Sequence, residues 1–221
     1  MIRFYFNAAP NPMKVALFLE ESGIDYVPVP VDTKKGQQHT PEFLAINPNA
    51  KVPALMDGDV ALFDSNAILL YLAEKTGQFL PAERGPLLSW LFFIASGVGP
   101  YSGQAVHFHN FSPEDLAYPK KRYAFEARRH WQIIDDRLAK GPYMAGADYS
   151  ILDMAVWGWA PRIPFMIPDT PLETFPNIAR LMDELNARPA AQRALELPSK
   201  HPFQQEMDEA AMRHMYPQIY A

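Results

Sequence analysis

The sequence predicts a two-part fold: a small α/β domain ordered βαβ–ββα around a mixed four-stranded sheet, followed by an all-helical domain. Three observations predict it. Short β-rich runs alternate with helical periodicities up to about residue 78, Asp57-Gly58 marks a tight hairpin between two of those runs, and beyond residue 86 strand signals nearly vanish. The expected boundaries are 1–78 for the first domain, 79–86 for a linker rich in proline and glycine, and 87–221 for the helical domain and its tail.

Each element has its own signal. A strand is predicted at 2–6, a helix over about 12–22 and a strand at 26–31, which makes a parallel pair with a right-handed crossover. A short helix follows from Pro41, then strands at 51–56 and 60–63 joined by the Asp-Gly turn, then a helix at 66–76. In the second part, apolar periodicity predicts helices over 87–108 and 113–139. A third starts at Ser150, where Ser150-Ile151-Leu152-Asp153 has the form of a capping box. Further helices are predicted around 175–187 and 203–215.

Composition narrows the function classes. The 221 residues are 48% hydrophobic, enough for a proper core, and a net charge of −5 with only isolated basic pairs leaves no footprint for a nucleic-acid backbone. The start lacks the form of a secretory signal, and the most apolar stretch, 87–98, is shorter than the roughly 20 residues a bilayer span needs. The expectation is a soluble, cytoplasmic protein with no membrane partner. The absence of cysteine excludes disulfides, thiolate–zinc sites and a cysteine nucleophile. His107 and His109 are two apart on a helix and Asp135 and Asp136 are adjacent, so neither pair shares a face and no metal is expected.

The first eighty residues nevertheless read as a thioredoxin-like half domain, so any thiol chemistry must use a borrowed sulfur. Its place would be the turn from the first strand into the first helix, where unpaired amides and the helix dipole favour a thiolate. Asn11 followed by Pro12 has the form of an N-cap and N1 pair. At Val52-Pro53 the proline cannot donate to a ladder. Val52 is therefore either an edge residue or a backbone partner for an extended ligand. Asp64-Ser65 opens a helix: Ser65 as N-cap could bind its own amides or a ligand carboxylate, and Asp64 could pair with a ligand ammonium.

Lys51-Val52-Pro53-Ala54-Leu55 followed by Asp64-Ser65-Asn66-Ala67-Ile68-Leu69-Leu70-Tyr71-Leu72 resembles the glutathione-binding half of the cytosolic glutathione transferases. Pro10-Asn11, Gln38, Pro41-Glu42-Phe43-Leu44 and the stretch from Gly97 to Gln104 resemble most the bacterial nu-class, known for glutathione-dependent disulfide-bond reductase activity. The resemblance implies a cis Val52-Pro53 step, Val52 pairing through its backbone with the cysteinyl part of glutathione, and Asp64 and Ser65 holding the γ-glutamyl end. It further implies Gln38 and Lys51 at the glycyl carboxylate, Asn11 beside the sulfur, and Gln104 and Arg129 completing the contacts, Arg129 from near a subunit interface. Ala9 departs from the threonine usual in nu-class relatives and removes one hydroxyl from the sulfur. Tyr5 is a substitute activator, although its spacing to the following helix also fits a packed strand tyrosine.

Tyr101, Gln104, His107 and Phe108 recur along one predicted helix and form the candidate substrate pocket, with Trp157, Trp159 and Phe165 as further candidates. The reading is a homodimeric glutathione transferase acting on a disulfide or small electrophile in a cleft between domains, with glutathione as cosubstrate. Conjugation, dehalogenation or isomerisation is the alternative chemistry, and a noncatalytic glutathione-transferase-like protein is the alternative class. Gly97, Gly99 and Gly103, within an apolar run, are read as sites of close approach by the partner subunit.

Overall fold

The computed structural model describes residues 1–217 and 219. The chain divides into two compact units, one of residues 1–76 with 189–221, the other of residues 77–188.

In the first unit, β1 (Ile2–Phe6) leads into α1 (Pro10–Ser22), β2 (Tyr26–Pro30), two single 3-10 turns, α2 (Pro41–Leu44), the hairpin of β3 (Ala54–Asp57) and β4 (Val60–Phe63), and α3 (Ser65–Thr76). The sheet order is β2-β1-β3-β4, with β1 and β2 parallel and the other pairs antiparallel, as the βαβ–ββα reading requires. Pro28 and Pro30 lie in β2, an edge strand, where a missing N–H is tolerated. Alternation along β1 buries Ile2, Phe4 and Phe6 on one face and leaves Arg3 and Tyr5 on the other.

Local bonds set three boundaries that sequence patterning misplaced. α1 starts at Pro10, with Ala9 as N-cap, because the Asn7 side chain accepts from the Ala9 amide at 2.9 Å and turns the chain there, so Asn11 is inside the helix. β3 starts at Ala54, opposite Tyr5, rather than at residue 51: buried Pro53 has no N–H for the ladder, and the Lys51 carbonyl is taken by Asn47 Nδ2 at 2.5 Å. α3 is capped by Asp64, whose Oδ1 accepts from the amides of Asn66 and Ala67 at 2.9 and 3.1 Å, so Ser65 is the first helical residue and not the cap.

The second unit is helical: α4 (Arg84–Phe93), a π-helical turn at Ile94–Val98, α5 (Gly99–Asn110), α6 (Ala117–Leu138), α7 (Ile151–Trp159), α8 (Ile163–Met166) and α9 (Pro176–Asn186). The expected helix over 87–108 is thus two helices joined through a π turn. Its glycine faces inward: a Cβ on Gly97 would lie 2.7 Å from the ring of buried His130, Gly99 meets its own Ile94 carbonyl, and Gly103 meets Trp159. Gly97 thus serves close packing within the unit, while Gly99 and Gly103 meet their neighbours at ordinary contact distances.

α10 (Pro189–Glu196), which the sequence analysis passed over, and α11 (Glu209–Met215) return to the first unit. α10 packs on α1, where Arg193 pairs with Glu20 at 2.7 Å. The expected helix over 203–215 is helical only from Glu209, because Asp208 caps it and residue 204 is tied down beforehand by its amide bonding Asp32 Oδ2 at 2.8 Å. The helical domain expected to reach residue 221 therefore ends near residue 188 as a compact unit, and positions 218, 220 and 221 lie outside the described residues.

The capping box of α7 has the expected form and is fully buried. Asp153 accepts from the Met144 amide at 2.7 Å and from the Ser150 amide and hydroxyl at 2.9 and 3.0 Å. Asp153→Ala leaves these buried donors unpaired and is expected to cost about 3 kcal/mol or more, read as a lowered urea midpoint.

Candidate functional site

In the first unit the expected glutathione residues come from α1, the segment before β3 and the start of α3. Pro10 and Pro12 carry no N–H, so Asn11 supplies the first-turn amide of α1, and the Ala9 N-cap makes no side-chain capping bond. Val52 is partly buried beside Val31, Phe43 and Ala54, its peptide bond to Pro53 is cis, and the β1–β3 pairing ends short of it. Lys51 is exposed.

At α3 the geometry is more specific. Asp64 adopts φ 70°, bringing its carboxylate over the amides of Asn66 and Ala67, while its own carbonyl accepts from Ile68 at 2.9 Å. Ser65 and Asn66 are buried. Beneath them lies Lys14 of α1, 1% exposed, whose Nζ donates to Ser65 Oγ at 3.4 Å and to Asn66 Oδ1 at 3.5 Å. Burial pulls the Lys14 ammonium down from its ordinary 10.5 to about 8, against the negative charge of Asp64, which supports it. The sequence analysis missed Lys14. Its signal was the run Met13–Leu19, otherwise wholly apolar, since a helix segment apolar on all sides is a buried one.

Two expected residues are placed elsewhere. Tyr5 packs edge-on against Phe43 at 6.0 Å between centroids and lines a cavity of about 530 Å³ with Arg3, Val31, Glu42 and Met56, so the packed-tyrosine reading describes it. Gln38 is 3% exposed and its amide nitrogen donates to the His214 carbonyl at 3.0 Å, the same carbonyl that His39 Nε2 contacts at 3.0 Å. Gln38 turns its nitrogen to α11, and its Oε1 is buried with no partner among the described residues. In this structure its donor is committed to the tail and not to a ligand carboxylate.

In the second unit, Tyr101 and Phe108 face α6. Tyr101 lies 4.8 Å from His130 between centroids, Phe108 stacks on Tyr123 at 5.3 Å and 9°, and His107 meets Phe108 edge-on at 5.3 Å. Gln104 is exposed, and burial lowers the His107 pKa. Arg129 bonds Glu126 on its own helix at 3.0 Å. Burial works to raise the Glu126 carboxyl, and Arg129 with Arg122 outweighs it, holding that group below the usual carboxylate range. Of the further candidates, Trp157 and Trp159 are core residues and Phe165 is exposed.

A donor pair at a helix start, an acidic cap beside it and a strand end outside its ladder suit an extended ligand with amino-acid and peptide character. Residues 3–74 match the family described as glutathione S-transferase, N-terminal domain. The chain belongs to the glutathione S-transferase family: it is 42% identical over 205 residues to the disulfide-bond oxidoreductase YfcG of Escherichia coli, covering 88% of this chain and 94% of that one. The disulfide-bond oxidoreductase YghU of the same organism is 33% identical over 87% of this chain and 73% of its own. Among solved structures, a glutathione transferase family member from Pseudomonas fluorescens with two glutathione bound superposes with TM-score 0.83 at 36% identity, covering 88% and 92% of the two chains. A Pseudomonas putida glutathione transferase with glutathione disulfide bound gives TM-score 0.81 at 32% identity, covering 89% and 91%.

The buried ammonium has a pH signature. Lys14 loses its proton near pH 8 in the fold and near 10.5 in the unfolded chain. The unfolded state therefore holds more protons between those values, so this group's contribution to stability is complete above the unfolded pKa and lost as pH falls through the folded one. Between about pH 7.5 and 9.5 the protein should gain about 2 kcal/mol relative to Lys14→Met, measured by urea unfolding of both.

Proposed function

We propose that the protein is a cytoplasmic, nu-class glutathione transferase that reduces disulfides with glutathione, with small electrophiles as further acceptors. The observation that carries the reading is the start of α3. Asp64 satisfies the amides of Asn66 and Ala67, which leaves the Ser65 N–H and O–H as a donor pair for the γ-glutamyl carboxylate. The second carboxylate oxygen of Asp64 then meets the ligand ammonium, and the Val52 backbone pairs with the cysteinyl segment. Asn11, at the N-terminal turn of α1, stands beside the sulfur, where the helix dipole favours the thiolate.

With no cysteine in the chain, every sulfur in the reaction comes from the reactants. A glutathione thiolate attacks the disulfide, forming a mixed disulfide and releasing one thiolate. A second glutathione thiolate then attacks the glutathione sulfur of that mixed disulfide, releasing the other thiolate and leaving glutathione disulfide. The similarity to YfcG and YghU, both named disulfide-bond oxidoreductases, supports this substrate class over simple conjugation. Ala9, whose side chain has no hydroxyl, favours the noncatalytic reading as the second one.

The decisive experiment is a turnover screen of glutathione against a disulfide, 1-chloro-2,4-dinitrobenzene and a peroxide, beside a calorimetric glutathione titration. Disulfide turnover is expected, and binding without any turnover selects the noncatalytic reading. Ser65→Ala should weaken glutathione binding by about 1.5 to 3 kcal/mol. Asn11→Ala should lower the rate more than the affinity and raise the pH at which thiolate absorbance of the complex appears. Assembly as a homodimer is proposed from Phe92 and Phe125, 63% and 60% exposed on the helical unit, and from Phe63 at the β4 edge. Light scattering should give twice the chain mass of 25.0 kDa; a monomeric mass at micromolar concentration rejects it.

A further inference from the structure

Packing alone leaves Lys14 unexplained. Its side chain is 1% exposed, and among the described residues no carboxylate lies within ion-pair distance of it. Its two partners are neutral oxygens at 3.4 and 3.5 Å, long for hydrogen bonds from a cation. A buried ammonium held this way is costly, and methionine would fill the same space more cheaply. The charged groups on the neighbouring elements have interactions of their own or are exposed. Glu20 on α1 is bound by Arg193 of α10 and by Tyr26 of β2, Glu196 of α10 lies 4.0 Å from Lys200, and Arg3 of β1 is exposed. Asp64 is the group whose charge acts on Lys14, and its Oδ1 is committed to the α3 amides.

The direction of the hydrogen bond adds the second half of the argument. An ammonium only donates, so Ser65 Oγ is the acceptor in its contact with Lys14, and the hydroxyl proton of Ser65 is left to point away from α1. We infer that Lys14 is a positioning residue for ligand binding: it fixes Ser65 as a donor and supplies from beneath α3 the counter-charge that an arriving ligand carboxylate completes. The inference rests on the proposed glutathione reading and adds to it a residue with no direct ligand contact. Its consequence is linkage: a carboxylate seated over Ser65 stabilises the charged form of Lys14, so the ligand binds tightest where Lys14 is protonated and loses that advantage as Lys14 deprotonates.

The test uses S-methylglutathione, whose blocked thiol removes the ligand's own titration in this range. Its dissociation constant is measured by calorimetry from about pH 7 to 9.5 for the wild type, Lys14→Met and Ser65→Ala, with folding checked by circular dichroism. The ratio of Lys14→Met to wild type is expected to be about tenfold at the acid end and to fall toward one at the alkaline end, because the ligand ammonium titrates alike in both proteins. A ratio of one throughout, or a loss that does not change with pH, overturns the inference while leaving the glutathione reading intact. No binding by wild type, or Ser65→Ala binding as wild type does, overturns the glutathione reading and the inference with it. If Lys14→Met does not fold, the decision passes to wild type labelled with 13C-lysine. The Lys14 Cε resonance should titrate near pH 8 in the free protein and at least about one pH unit higher with S-methylglutathione, and an unmoved midpoint rejects the inference.

Discussion

A lysine ammonium sealed between two helices is the constraint around which the start of α3 is arranged. Lys14 has three protons to place and no water to take them, so the start of α3 must present oxygens to α1. Ser65 and Asn66 turn side-chain oxygens toward Lys14, and neither caps its own helix. The cap passes to Asp64, which reaches the amides only by taking a left-handed backbone conformation. Four consecutive features thus surround one buried charge: the turn after β4, the acidic cap, the inward serine and the inward asparagine.

The helical unit is organised by a second set of polar groups, of which Glu126 and His130 are buried, with a different geometry. Glu126, two guanidinium groups and His130 form a ladder along one side of α6, and His130 Nδ1 meets the Glu126 carbonyl at 2.7 Å. The imidazole then occupies space that only a glycine at position 97 leaves open, at a turn where the helix takes an extra residue. One residue is about 100° of helix rotation, so the π turn changes which side chains of α5 look at α6, and Tyr101 comes to lie on the ring that Gly97 admits. Ridge packing and ion pairing are therefore keyed to each other at a single point.

What was legible in the sequence was what is local. Asp57-Gly58 announced its hairpin and Ser150 and Asp153 announced their box, because in each case both partners of the interaction are within a few residues. The start of α1 was misread because Asn11-Pro12 and Pro10 offer two equally good N-terminal signals, and the side chain that decides between them, Asn7, acts on an amide rather than through helix propensity. The position of Gln38 was beyond reach, since its partner is 176 residues away. The same holds for residue 204, strapped to Asp32 across 172 residues, which is why α11 could be sensed as a helix and not assigned to the unit it completes. Lys14 is intermediate: its apolar surroundings were visible, while the oxygens it needs belong to another helix.

The distribution of sulfur over the molecule carries one more consequence. The chain has ten methionines and no thiol, and Met13, Met144, Met154, Met166 and Met182 are buried in the two cores. A protein that handles oxidised sulfur with its own cysteine risks climbing from sulfenic to sulfinic acid and stopping there, whereas in the proposed reaction the vulnerable atom leaves with the spent reactant. Oxidation of the protein's own sulfur is limited to methionine, where half of the sulfurs are shielded by packing and sulfoxide formation is chemically reversible. The scaffold can therefore outlast many generations of the thiols it works with.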